Sequence, residues 1–143
     1  MKTLHSFLQL KFLPASQDAG LLVLRIWLGV SMVVLHGWVK IVNFNQMSGQ
    51  FPDFLGIGPK GNLIAAIFGE FVCGLLVVIG LGTRFAALVL TIVMAFAFFA
   101  AHGAKLSGPG SGELAFIFLA GFVTLLVAGP GRFSVDGNTK TAA

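Results

Sequence analysis

Four ionisable residues lie within segments that are otherwise apolar, and they are the part of this sequence with the clearest chemical potential. The segment AAIFGEFVCGLLVVIG, residues 65–80, contains one carboxylate, Glu70. The earlier segment LLVLRIWLGVSMVVLHGWVKIV contains Arg25, His36 and Lys40, which fall within roughly 60° of one another on a helix. Because a lone ionised carboxylate in an apolar environment is very costly, we expect Glu70 to be neutral or paired with a cation.

The distance of each residue from the end of its helix indicates which cations can reach Glu70. Counted from the end where the two segments meet, His36 lies about 9 Å deep and Glu70 roughly 12 Å deep. Lys40 is nearer that end, whereas Arg25 is about 10 Å from the level of Glu70. We therefore predict His36 or Lys40 as the partner, in an outward-facing polar pocket covered by the Phe-rich loop NFNQMSGQFPDFLGIG. Two further polar residues fall at the same end, so the predicted ligand- or proton-binding set is Glu70, His36, Lys40, His102 and Glu113.

Each of these residues also has a purely structural interpretation. Glu70 can serve as a clamp between helices without doing chemistry. Arg25 and Lys40 suit anchors that extend to the membrane surface. Glu113 opens an apolar segment, where the helix dipole favours an acid, and His102 closes one, where it can cap the helix.

Several other classes of chemistry find no support in the sequence. The single cysteine, Cys73, excludes an intrachain disulfide and a C-x-x-C redox pair, and packing is its expected role. No metal-ligand spacing is present, so we predict no metal site, and a haem held by His36 and His102 is disfavoured. No serine has a nucleophile-elbow context, and no catalytic residue is identified. The net charge of +4 is too dispersed for nucleic-acid binding.

The elements that must position these residues are membrane helices. Hydrophobic residues make up 57% of the 143 residues and charged residues only 10%, far outside the range of soluble domains. A bilayer core needs roughly 20 apolar residues per helix. We predict an all-α integral membrane fold, a four-transmembrane-helix bundle forming a single domain over residues 1–143. The spans are about 20–42, 62–81, 85–102 and 113–128, with residues 1–19 as a tail or interfacial segment and 129–143 as a C-terminal tail.

The distribution of Lys and Arg predicts the orientation. The side that holds both termini carries Lys2, Lys11, Arg84, Arg132 and Lys140, whereas the other side carries Lys40, Lys60 and Lys105. Because cytoplasmic loops carry the excess of these residues, we predict that the N and C termini are both cytoplasmic.

Longer motifs in the chain resemble the DoxX family of small bacterial membrane proteins. They are LVLRIWLGVSMVVLHGWVKI, GEFVCGLLVVIGLGTRFAAL, AAHG and GELAFIFLAGFVTLLVAGPGRFSVD, which together cover about residues 22–136. Besides Lys40 and Glu70, the residues that match the family pattern, expected to be structural, are Arg25, Gly29, Gly74, Gly80, Arg84, Gly129, Pro130, Gly131, Arg132 and Asp136.

The resemblance implies a four-helix protein of the bacterial cytoplasmic (inner) membrane. Members of that family are often described as oxidoreductases, and some are linked to the membrane part of thiosulfate:quinone oxidoreductase. Quinone is therefore the candidate cofactor, and a soluble or membrane redox protein, a homo-oligomer and the lipid bilayer are the candidate partners. Three functions remain open: a quinone- or small-molecule-binding subunit, a non-catalytic scaffold that recruits a soluble redox enzyme, and a small proton-coupled transporter.

Overall fold

The computed structural model describes residues 7–10 and 14–139, and within these ranges all regular structure is helical. The four main helices are α1 (Gln17–Val42), α2 (Pro59–Ile79), α3 (Thr83–Ala101) and α4 (Glu113–Ala128). The first three are long and apolar enough to cross a membrane, and α4 is a shorter apolar helix. Shorter helices follow at Phe44–Met47 and Val135–Thr139. The predicted N-terminal interfacial segment falls partly outside the described residues, as do Lys2, Lys11 and Lys140.

The four main helices form a bundle in which each helix packs against its neighbours in the chain. Helix α1 contacts α2, α2 contacts α3, α3 contacts α4, and α4 closes the ring against α1. Each helix contributes at least one side chain with no exposed surface to the shared core, for example Met32, Val77, Leu90 and Phe122. The end of the bundle with residues 43–58 and 102–112 is called the loop end below, and the end with residues 129–139 the terminal end.

Apolar side chains cover much of the outer surface of the bundle, whereas two charged side chains, Arg25 and Glu70, are buried inside it. Trp27 is 74% exposed and Val127 is 77% exposed, whereas Arg25 is 1% exposed and Glu70 is 5% exposed. A water-soluble bundle shows the reverse, because its charged side chains are almost never buried. This distribution is that of a protein whose outer surface contacts lipid.

Glycines bring the backbones of α1 and α2 together. A Cβ at Gly37 would lie 2.8 Å from both the backbone nitrogen and the Cβ of Phe71, and a Cβ at Gly29 would lie 3.0 Å from the carbonyl oxygen of Gly74. Real Cβ atoms essentially never lie within 3.0 Å of a backbone atom, so Gly37 requires glycine, and the contact at Gly29 is tighter than nine in ten real Cβ contacts. The two helices therefore pack through small residues, as membrane helices commonly do.

Three of the four main helices contain a wider π-helical turn, which the sequence analysis did not predict. These turns are Val33–Gly37 in α1, Phe68–Cys73 in α2 and Phe96–Ala101 in α3. A π turn inserts a residue into the α-helical register, and such turns are frequent at functional sites. The turns of α1 and α2 carry His36 and Glu70.

At the terminal end, Arg25 joins α1 to the end of α2 and to the C-terminal segment. Its guanidinium donates hydrogen bonds to the carbonyl oxygens of Val77 at 3.4 Å and Val78 at 3.3 Å, and to that of Phe133. A cation is favourable here because the last carbonyl groups of a helix lack partners and carry partial negative charge. Arg25 is thus an interior clamp rather than an anchor at the membrane surface.

The C-terminal residues fold back against the bundle and cap α3. Asp136 accepts hydrogen bonds from the backbone N–H groups of Gly82 and Thr83, both at 2.9 Å, which places a carboxylate at the N-terminus of α3. Asp18 likewise accepts a bond from the N–H of Arg132 at 2.8 Å. The family-pattern segment GPGRFSVD therefore ties the two ends of the chain together.

Candidate functional site

The centre of the candidate site is an ion pair between α1 and α2. Lys40 Nζ donates to Glu70 Oε2 at 2.6 Å, and the two side chains are only 16% and 7% exposed. The close approach of Gly37 to Phe71 lies within one turn of both residues and holds the helices together at this level. Of the two partners predicted for Glu70, the structure pairs it with Lys40. Removing one partner of a fully buried pair costs about 3–5 kcal/mol, and the partial exposure of Lys40 places the cost here towards the lower end of that range.

A cavity of about 300 Å³ lies beside this pair, between α2 and α3. Its walls come from α2 and α3, and its cover comes from the loop between α1 and α2. The volume and the largely apolar wall with a few polar groups are those of a small-molecule site. The lining residues are Lys40, Phe51, Pro52, Phe54, Leu55, Asn62, Ala65, Ala66, Glu70, Ile92, Val93, Phe96, Ala97 and Ala101.

One side of the cavity adjoins the outer, apolar surface of the bundle. Ile92 and Phe96 of α3 line the cavity, yet they are 48% and 39% exposed. The ring of Phe96 also packs against that of Phe54 in the covering loop, with ring centres 6.2 Å apart and planes tilted by 30°, and Phe54 is itself 38% exposed. A molecule dissolved in the bilayer would therefore meet the cavity edge directly between α2 and α3.

The covering loop is fastened to the start of α2 by Asp53 and Asn62. Asp53 accepts hydrogen bonds from the N–H groups of Ile57 at 3.1 Å and Gly58 at 3.0 Å, and from the side-chain amide of Asn62. Asn62 in turn accepts from the N–H of Leu55 at 3.1 Å and donates to the carbonyl of Gly58 at 3.0 Å. Since Asn62 is only 4% exposed, this network fixes the loop over the cavity.

The other predicted site residues lie away from the cavity. The His36 ring packs edge-on against Phe118 of α4, with ring centres 5.7 Å apart, and its Nε2 is buried without a hydrogen bond within the described chain. His102 is exposed and its Nδ1 lies 3.0 Å from the carbonyl oxygen of Gly110. Glu113 is exposed at the first turn of α4. None of the three lines the cavity.

Sequence reasoning missed Asp53 and Asn62. A signal for both was present, because Asp in a turn bonds to backbone N–H groups a few residues on, and a polar side chain near the start of an apolar span needs a partner. Over residues 7–10 and 14–139, no three His, Cys, Asp or Glu side chains gather in an arrangement suited to a metal ion.

These features define an integral membrane protein of several apolar helices with a polar site enclosed at one end of the bundle. The chain belongs to the DoxX family, whose model matches residues 20–103. It is similar to the inner membrane protein YqjF of Escherichia coli K12, with 32% identity over 127 residues that cover 84% of this chain and 92% of that protein. It is also 32% identical over 116 residues to an uncharacterised protein of Haemophilus influenzae Rd, covering 73% of this chain and 80% of the relative.

No solved structure gives a significant match. The family and the inner-membrane relative, taken with the apolar helices, make this chain a multi-pass protein of the bacterial inner membrane.

Proposed function

We propose that this protein binds a small molecule of the quinone type, dissolved in the membrane, and that it acts as a subunit associated with redox chemistry. The observation that carries the proposal is the Lys40–Glu70 pair, buried at the wall of a largely apolar cavity of about 300 Å³. Such a cavity suits a ligand with an apolar body and one polar group, and the pair supplies the polar contact. The exposed Ile92 and Phe96 at its edge give a ligand from the bilayer a route of entry.

The membrane arrangement belongs to the same proposal: four spans, with both termini in the cytoplasm. Helix α4 has 16 residues, about 24 Å at 1.5 Å per residue. Arg84 at the start of α3 donates to the carbonyl oxygen of Leu126 at 3.0 Å, and a Cβ at Gly112 would lie 2.8 Å from His102. Helix α4 thus lies alongside α3 at both ends, which supports α4 as the fourth span.

The orientation is tested by labelling cysteines in intact cells. In a Cys73→Ala background, we expect Ser107→Cys at the loop end to react with a membrane-impermeant maleimide from outside. Asn138→Cys at the terminal end should react only after the inner membrane is opened. The reverse pattern would refute the proposed orientation.

Ligand binding is tested by filling the cavity. Ala97 lines the cavity, whereas Ala100, one turn further along α3, is exposed on the outer surface. We expect the purified parent and the Ala100→Phe control to retain quinone extracted with them from the membrane, measured by mass spectrometry. The Ala97→Phe variant should retain at most one tenth as much. Equal quinone in all three proteins, or none in the parent, would contradict the proposal.

The polar contact is tested separately. Replacing one partner leaves a buried charge, whereas replacing both with apolar side chains of similar size is often neutral for stability. We therefore compare the double variant Lys40→Met/Glu70→Met with the control Lys105→Met/Glu113→Met, which alters two exposed residues at the same end. Loss of quinone from the first variant alone supports the proposal. Full retention would indicate a passive clamp, as expected of a scaffold that recruits a redox enzyme.

A further inference from the structure

The Lys40–Glu70 pair uses only one of the two carboxylate oxygens of Glu70. Lys40 bonds to Oε2, and no described residue donates a hydrogen bond to Oε1. The buried side-chain atoms without a hydrogen bond in the described chain are Arg25 Nε, His36 Nε2 and Thr83 Oγ1. Glu70 Oε1 also lacks a hydrogen bond within the described residues but is not among these buried atoms, so it is not fully buried. Glu70 itself lines the cavity. This oxygen is therefore an acceptor free of described donors, with some exposed surface, on a residue that lines the cavity.

Lys40 supplies unused donors at the same point. A lysine ammonium has three N–H donors, and the described contacts of Lys40 consume one of them, in the bond to Glu70. An acceptor and a donor thus stand side by side at the polar wall. The pair as a whole is neutral, so it offers an ionic ligand no net counter-charge, and burying an unpaired charge in this largely apolar cavity would be costly.

The third polar residue of the cavity wall does not compete for the ligand. The side-chain amide of Asn62 is already engaged by Asp53, by the N–H of Leu55 and by the carbonyl of Gly58. The remaining lining residues carry apolar side chains. Recognition of a polar group in this cavity therefore rests on Lys40 and Glu70.

Given the ligand site proposed above, we infer that the cavity selects a neutral hydroxyl group on an apolar body, in preference to a carbonyl or ether of the same shape. A hydroxyl can donate to Glu70 Oε1 and accept from Lys40 at once. A carbonyl or ether can only accept, so it leaves the carboxylate oxygen unsatisfied in a filled apolar cavity. Of the two forms of a quinone, the hydroquinone carries the hydroxyl, and this site holds it more tightly than the oxidised form.

The experiment compares 4-octylphenol with 4-octylanisole. The two molecules differ only by a methyl group on the oxygen, which removes the hydroxyl donor. Binding to the purified full chain in lipid nanodiscs is measured by isothermal titration calorimetry. We expect the phenol to bind at least tenfold more tightly to the parent. In Lys40→Met/Glu70→Met, whose folding is checked by its unfolding temperature, the ratio should fall to about one, since the selectivity is expected to come from this pair.

The outcomes separate the two proposals. Equal affinities of phenol and anisole for the parent, both lost in Ala97→Phe, overturn the selection for a hydroxyl and leave the ligand site standing. If the double variant still binds the phenol tenfold more tightly than the anisole, the preference does not come from Lys40 and Glu70, and the inference is also overturned. If neither probe binds the parent, the ligand site itself fails and the selection fails with it.

Discussion

Gly37 of α1 and Phe71 of α2 are in backbone contact, and the Lys40–Glu70 pair lies within one turn of that contact on both helices. A Cβ at Gly37 would come to 2.8 Å from the Phe71 backbone nitrogen and 2.9 Å from its Cα. A backbone cannot rotate away as a side chain can, so an added methyl group must separate the helices. The distance between Lys40 and Glu70 thus depends on the absence of a side chain at residue 37.

The first prediction is that Gly37→Ala lowers stability by about 1–3 kcal/mol, the usual cost of overpacking. The measurement is the unfolding transition in mild detergent. Gly20→Ala is the matched control, because it also lies in α1 but a Cβ there meets nothing within 4 Å. Alanine is the better helix former by about 1 kcal/mol, so the control should be unchanged or slightly more stable. Equal transitions for both variants would show that the helices do not approach this closely.

The second prediction concerns Gly80, where a positive backbone angle and tight packing coincide. Its φ is +75°, and an added Cβ would collide with the side chains of Arg25 and Ser134. Gly82 has a φ of +56°, but its Cβ would meet nothing within 4 Å. Gly82→Ala should therefore lower the free energy of unfolding only by the strain of a side chain in the left-handed conformation, about 1–2 kcal/mol. Gly80→Ala should cost measurably more in the same unfolding assay. A similar loss in both variants would mean that packing against Arg25 contributes nothing.

The third prediction is that Arg25 fastens the C-terminal segment. Arg25→Ala removes hydrogen bonds to carbonyl groups of α2 and to Phe133, and bonds from a charged donor contribute about 1.5–3 kcal/mol each. We expect earlier proteolytic cleavage after residue 128 and a lower unfolding temperature. Arg132→Ala is the control, because its side chain is exposed while its backbone N–H keeps the bond to Asp18. Cleavage at the same rate in both variants would refute the role of Arg25.

Much of the fold and part of the site follow from the sequence for physical reasons. Apolar runs of about 20 residues bounded by Gly and Pro predict helices, because a helix satisfies all its backbone groups within one segment in hydrocarbon. Depth along two antiparallel helices narrows the partner of Glu70 to His36 or Lys40, since rise per residue is nearly constant, and the structure pairs Glu70 with Lys40. The side of the helix on which each residue lies is harder to predict, because the π turn at Val33–Gly37 shifts the helical register of the residues that follow it. The predicted common stripe of Arg25, His36 and Lys40 therefore fails: His36 contacts α4, whereas the other two contact α2.

The sequence predicts that this loop covers the cavity, but it does not predict the hydrogen bonds that hold the loop in place. The three Phe residues of the loop between two helices indicate an apolar cover, and Phe51 and Phe54 do line the cavity. The network of Asp53 and Asn62 joins residues nine apart through backbone groups whose directions depend on the turn. A turn of that length has many conformations of similar energy, and single-sequence patterns do not select among them.

The fourth prediction is that Asn62 holds this loop closed. Asn62→Leu keeps the size of the side chain but removes the bonds to Asp53 and to the backbone of Leu55 and Gly58. A buried group left without its partner costs about 1–3 kcal/mol, so the amides of Leu55, Ile57 and Gly58 should exchange hydrogen about tenfold faster or more. Hydrogen exchange followed by mass spectrometry measures this.

Asn45→Leu is the matched control, since Asn45 is exposed and its side chain makes no hydrogen bond to the described residues. Exchange in the core of α3, around Leu90, should stay unchanged in both variants, because the four-helix core does not depend on the loop. Slow exchange at Leu55 and Ile57 in Asn62→Leu would mean that contacts of Phe51 and Phe54 with the cavity walls hold the loop without the polar network. Fast exchange confined to that loop would identify Asn62 as the residue that fastens it.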